Sequence, residues 1–269
     1  MTPPNFSATA VLKALRDAVP VMAVALILLG LWYLLTATLY KDKGFLVPAP
    51  QQVLVALADN SATLLAATLT TLGEAACGYL LAIVLGIAAA ALMAQSRLLE
   101  RSLYPYAVLL QTVPVIAIAP LIVLWSGYNE RSVVIISLIM SLFPIINNTL
   151  LGLRSTSHNL VELFALHNPS RWVVFRKLRL PAALPNIIAG MRISAGLSVV
   201  GAIVGEFIIG SGNSQGGLGV QIVFAQGRMN TALLFGEVIA ATLLGFMFFL
   251  LVSRLGHLLL RHWHESAKA

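Results

Sequence analysis

The chain has 269 residues, of which 59% are hydrophobic and 10% charged, with a formal net charge of +7 and a mean hydropathy of +0.90. Soluble domains carry about 25% charged residues, so a water-soluble fold is excluded and lipid is the expected solvent. The basic excess is assigned to membrane orientation and anionic headgroups, not to nucleic acid.

An all-α integral membrane protein with six spanning helices is expected, at residues 19–39, 72–94, 107–125, 133–153, 183–209 and 233–255. Each run is apolar and long enough to cross a hydrocarbon layer of about 30 Å. No small-residue cleavage signal follows the first, so it is read as a span and not as a removed leader. The stretch FLVPAPQQVLVALADN between the first two spans reads as a loop followed by a short amphipathic segment. Pro114, Pro120 and Pro144 fall inside spans and predict kinks. The lone cysteine, Cys77, permits neither an intrachain disulfide nor a cysteine-rich metal site, and no metal site is expected.

Orientation follows from Lys and Arg. With the N-terminus in the cytoplasm, the inner segments hold Lys13, Arg16, Arg97, Arg101, Arg154, Arg171, Arg176, Lys177, Arg179, Arg254, Arg261 and Lys268. The outer segments hold Lys41, Lys43, Arg131 and Arg228. This is a positive-inside bias, so residues 1–18 and 256–269 are expected to be cytoplasmic tails flanking a permeation domain at 19–255. The outer loops are then the one around Asp42, the turn at 127–132 and residues 210–230.

Two stripes of small residues recur at helical spacing: Gly78, Ala82, Gly86, Ala90, and Gly190, Ser194, Ser198, Gly201, Gly205. Small residues let helix backbones approach closely in lipid; the stripes read either as plain packing or as a translocation surface that slides. Ionisable residues inside spans are costly and default to functional candidates. Glu74, Glu206 and Glu237 qualify, all in the outer half. They either reach water or pair structurally near the interface, or they contact solute or a docked binding protein. Arg192 reads as a snorkelling anchor. The five histidines, including His262 and His264 beside Trp263, fall in cytoplasmic or interfacial positions.

Between the fourth and fifth spans, residues 155–181 form a cytoplasmic insert. Asn159 and Glu162 have capping-box spacing, so a helix is expected from there to about Leu166. Asn168 and Pro169 read as the cap and first residue of a second helix that Pro181 ends. Aromatic and aliphatic residues (Phe164, Trp172, Phe175) lie among the cations, a surface that either lies on headgroups or docks a partner.

This insert resembles the cytoplasmic signature of permease subunits of bacterial ABC importers: Glu-Ala-Ala, three residues, Gly, nine residues, Ile, any residue, Leu-Pro. The matching positions are Glu162, Asn168, Leu178, Leu180 and Pro181, with Ala165 still small. Leu163 and Phe164 replace the two alanines and Asn168 replaces the glycine; Asn tolerates a left-handed turn best after Gly. The segments TTLGEAACGYLLAIVLGIAAA, QTVPVIAIAPLIVLWSGY, SLFPIINNTLLGL and LPAALPNIIAGMRISAGLSVVGAIVGEF are similar to the nitrate/sulfonate/taurine/bicarbonate branch of that family.

The resemblance implies that the insert is a coupling helix seated on a separate ATPase, in two copies, which binds the ATP and magnesium. No cofactor is then expected in this chain, and no G-x-x-x-x-G-K-[ST] phosphate cradle occurs in it. It further implies a second copy of the chain, a substrate-binding protein and a bacterial inner-membrane location. The expected cargo is a small polar solute, a heterocyclic vitamin precursor or else sulfonate, nitrate or bicarbonate. A secondary transporter or channel is the alternative, which would call for paired midplane charges or an inverted repeat. A membrane enzyme lacks its catalytic pairs.

Overall fold

The computed structural model describes residues 8–38, 46–166, 169–210 and 216–260. The order is α1 (Ala8–Thr38), α2 (Pro50–Asp59), α3 (Ser61–Met93), α4 (Arg97–Thr112), α5 (Val115–Ser126), α6 (Glu130–Arg154), α7 (His158–Ala165), α8 (Arg171–Val174), a π turn (Phe175–Arg179), α9 (Leu180–Ile209), α10 (Leu218–Gly227) and α11 (Thr231–Leu260). The described residues are all-helical apart from connections. With no water in the layer, long helices satisfy every backbone polar group internally.

The centre of the bundle is α6, held between α3 and α9. The small-residue stripes explain why. Gly78, Ala82, Gly86 and Ala90 are buried along α3. Gly190, Ser194, Ser198, Gly201 and Gly205 are buried along α9. A Cβ on Gly201 would lie 2.8 Å from the Ser137 Cα, one on Gly205 3.0 Å from the Val133 Cα, and one on Gly86 2.8 Å from Ile145. The first two bring backbone onto backbone and the third brings backbone onto the Ile145 side chain, approaches that only a missing side chain allows. Ser137 Oγ donates to the Ser198 carbonyl at 2.9 Å and Ser194 Oγ to the Ser141 carbonyl at 2.6 Å, so the seam is also hydrogen-bonded. The packing reading of both stripes is what the structure shows. Partners rise together along α3 and α6, which are therefore parallel; they run oppositely along α6 and α9, which are antiparallel. Helix α11 covers α9 and α3 through Phe248, whose ring meets Tyr79 edge-on at 5.3 Å.

The bundle has two ends. At one lie α2, α10 and the starts of α3, α6 and α11; at the other lie α7, α8 and the start of α4. The outward faces carry leucine, valine and isoleucine, as lipid contact requires. From Val19 onward, where its side chains are described, helix α1 is mostly exposed. It is tethered near its end by Trp32, whose Nε1 donates to the Pro48 carbonyl at 3.1 Å and whose ring stacks with Phe235 at 6.1 Å.

Among the described residues, four single helices are long and apolar enough to cross a membrane: Ser61–Met93, Glu130–Arg154, Arg171–Ile209 and Thr231–Leu260. The expected third span, 107–125, differs. It is two helices, α4 and α5, bent by 99° at the break. Pro114 sits at that break with φ −67° and ψ 104°; without an N–H it cannot continue the ladder of α4. Pro120 and Pro144 are instead absorbed within α5 and α6. The expected first span corresponds to α1, whose apolar stretch Met22–Thr38 is shorter than the others and whose last expected residue lies outside the described residues. The second span starts earlier than expected, at Ser61, because the Ala- and Thr-rich run before Leu72 carries no charge and continues the helix. The expected outer loop 210–230 contains α10, whose Leu218, Ile222 and Ala225 recur at helical spacing and are buried.

Candidate functional site

At the α7 end, α7 is a single short helix. It starts after Ser157, two residues before the expected cap Asn159. Leu160 and Leu163 are exposed on it, beside the exposed Glu162. Ala165 ends the helix; Asn168, the expected glycine-equivalent, lies outside the described residues, as do His167, His262, His264, Lys41, Lys43, Arg261 and Lys268. The second helix also departs from expectation. Ser170, not Asn168, is its cap, accepting from the Val173 N–H at 3.4 Å. Trp172 stacks on Phe175 at 5.7 Å.

Pro181 does not end that helix. Residues Arg171–Ile209 run as one helical body, and the Leu180 N–H bonds to the Phe175 carbonyl five residues back. In a regular α-turn the Pro181 ring would collide with the carbonyl four residues before it. Widening the turn to π geometry just upstream opens room for it. Leu178 is buried, and Phe175 and Leu180 pack on Leu153, Ala183 and Ile187. The expected residues Leu178, Leu180 and Pro181 thus lie where the insert is welded to α6 and α9. A cleft of about 680 Å3 beside Val161 is lined by Arg97, Arg101, Arg154 and Arg179, with Arg154 paired to Glu100.

At the other end, the three candidate carboxyls separate. Glu206, 1% exposed, accepts from Thr71 Oγ1 at 2.7 Å through Oε1 and from the Gly219 N–H at 2.6 Å through Oε2. Thr71 Oγ1 in turn accepts from the Leu218 N–H at 2.8 Å. Residues of α3 and α9 therefore cap the first turn of α10, whose leading N–H groups have no partner within their own helix. The partner of this buried carboxyl is a helix N-terminus, where negative charge is favoured. Gly217, just before α10, is obligatory, because a Cβ there would run into Glu206 and Thr71.

Glu74 faces the same cavity as Glu206, and its Oε2 is buried without a partner. Both line a cavity of about 130 Å3 together with Glu130. Glu237 stands apart in a second cavity of about 200 Å3 with Asn60, Thr63, Gln221, Phe224 and Arg228. Thr71 and Glu130 were not legible as members of a site. Thr71 is one of several threonines in a run, and Glu130 reads as the charged rim of a turn. The Arg192 Nη2 donates to the Ser253 carbonyl at 3.4 Å and its Nε is buried without a partner. It braces α9 against α11.

Residues 82–264, from mid-α3 onward, match the family described as the binding-protein-dependent transport system inner membrane component. The chain is 36% identical over 221 residues to the formylaminopyrimidine transport permease protein ThiX of Halalkalibacterium halodurans, covering 80% of this chain and 85% of that protein. It is 33% identical over 247 residues to the riboflavin transport system permease protein RibX of Chloroflexus aurantiacus, covering 91% and 90%. It is 33% identical over 172 residues to the putative aliphatic sulfonates transport permease protein SsuC of Bacillus subtilis, covering 64% and 61%. The chain therefore belongs to the family of binding-protein-dependent transport system inner membrane components, as a multi-pass ABC importer permease subunit.

Proposed function

We propose that two copies of this chain form the translocation pathway of an ATP-driven importer, with the α7 segment as its contact to a separate ATPase. The observation that carries this reading is mechanical. Helix α7 stands exposed between α6 and the α8–π–α9 body, and α6 and α9 pack along their whole length. A displacement at α7 would be passed to both central helices. Glu162, Ala165, Asn168, Leu178, Leu180 and Pro181 make or brace the ATPase contact. The ATPase, in two copies, binds ATP and magnesium. The α7 end and both termini face the cytoplasm, residues 155–181 serving as the coupling loop of the 19–255 permease domain. The α10 end faces outward, where a binding protein delivers solute, and Glu74, Glu206 and Glu237 stand along its entry.

Two of the relatives above are named for transport of nitrogen heterocycles, which supports a heterocyclic vitamin precursor over sulfonate, nitrate or bicarbonate as cargo. The test is recovery from mild detergent. The tagged chain is expected to bring down an ATP-hydrolysing subunit in equal copy number. A chain that transports after reconstitution with no such subunit would instead be a secondary transporter.

A further inference from the structure

The Glu237 cavity has features that helix packing does not require. Glu237 is 3% exposed, yet its Oε2 takes no hydrogen bond from the protein. Buried polar groups are almost always partnered, so this oxygen is suited to a donor that the fold does not supply. One cation, Arg228, lines the same cavity, but no ion pair joins it to Glu237. Asn60, Thr63 and Gln221 add short polar groups from the α2–α3 junction and from α10, and Phe224 adds an aromatic wall. A carboxyl and a guanidinium thus share one cavity without neutralising each other, beside a ring.

We infer that this cavity is a solute subsite of the permease, selective for a single-ring nitrogen heterocycle that carries an exocyclic amine and a carbonyl or ring-nitrogen acceptor. The amine donates to Glu237 Oε2, the acceptor takes a hydrogen bond from Arg228, and the flat face lies against Phe224. The cavity volume, about 200 Å3, equals that of roughly seven waters at ~30 Å3 each. It lies below the ~300 Å3 at which drug-sized pockets begin, so one ring fits and a fused three-ring system does not. Small anions such as sulfonates or bicarbonate would meet the buried carboxyl with like charge. The position suits the inference, which rests on the transport reading above. Glu237 is six residues inside the start of α11, about 9 Å along the helix at 1.5 Å per residue, on the side where solute is delivered.

The test uses the full chain in lipid nanodiscs and equilibrium dialysis with three probes. Cytosine has the amine and the carbonyl, uracil lacks the exocyclic amine, and taurine is an aliphatic zwitterion. Cytosine is expected to be retained about tenfold more tightly than uracil, the size of one charge-assisted hydrogen bond, and taurine not at all. Glu237→Gln, which removes the charge and turns one of the two acceptor oxygens into a donor, should abolish the cytosine preference. Arg228→Gln, at an exposed position, should weaken cytosine several-fold with unchanged melting. Absent or equal retention of cytosine and uracil, preference for taurine, or a Glu237→Gln protein that still discriminates would each overturn the subsite. The same nanodiscs are assayed with the recovered ATPase. Coupled hydrolysis without cytosine preference overturns the subsite alone, and cytosine preference without an ATPase partner overturns the importer reading alone.

Discussion

At the scale of single residues, the buried carboxyls illustrate how a sequence announces a group without announcing its role. An ionisable residue inside an apolar span is conspicuous, and Glu206 was identifiable on that ground alone. Its partners were not. Thr71 lies 135 positions away, and the amides it helps to cap belong to a helix hidden in an apparent loop. Thr71→Val keeps the shape but leaves the Leu218 N–H without an acceptor. A buried unsatisfied donor costs about 1–3 kcal/mol, which should appear as a lowered melting temperature of the purified chain. Glu206→Gln presents an amide NH2 to one of two groups that both donate. Melting and uptake are expected to fall together, because the carboxyl that stands along the entry also holds the α10 cap; uptake lost with melting unchanged would show that it does not hold the cap.

At the scale of elements, the stripes were the most readable feature, because small residues four apart mean close backbones whatever the sequence around them. The contrast between two glycines of α9 measures this. At Gly201 an added methyl would lie 2.8 Å from the Ser137 Cα, whereas at Gly196 nothing lies within 4 Å. Gly201→Ala should therefore cost about 1–3 kcal/mol through overpacking. Gly196→Ala should stabilise by about 0.5–1 kcal/mol by removing the helix-interior cost of glycine. Thermal denaturation in one detergent compares them directly, and equal effects would contradict the seam as described.

The proline elements were less readable. Pro114 breaks a span, while Pro120, Pro144 and Pro181 do not, because the outcome depends on whether neighbours or a widened turn absorb the missing N–H. Pro181→Ala restores that N–H and removes the reason for the π turn at Phe175–Arg179. The helix should relax to regular α geometry, turning α8 and α7 relative to α9. ATP hydrolysis in the reconstituted complex is then expected to persist while uptake falls, with membrane insertion intact. Uptake at the original level would show that the π turn has no part in transmission.

At the scale of the whole molecule, the class of protein was legible from composition, because only a lipid-solvated fold tolerates this hydropathy. The insert between α6 and α9 was legible because charge interrupts an apolar chain there. What composition could not give was the path between α7 and the spans. That path depends on the continuity of Arg171–Ile209 through Pro181 and on α6 and α9 sharing one seam. The central claim is that this path carries the work of a separate ATPase. The most direct measurement is Glu162→Lys in the reconstituted complex, with uptake, solute-stimulated ATP hydrolysis and subunit recovery read together. A reversed charge on the exposed face of α7 should abolish uptake and solute stimulation while the chain still inserts and melts as before, since a substitution on an exposed face usually changes stability by no more than about 0.5 kcal/mol. Uptake and stimulated hydrolysis at unchanged levels would contradict the account.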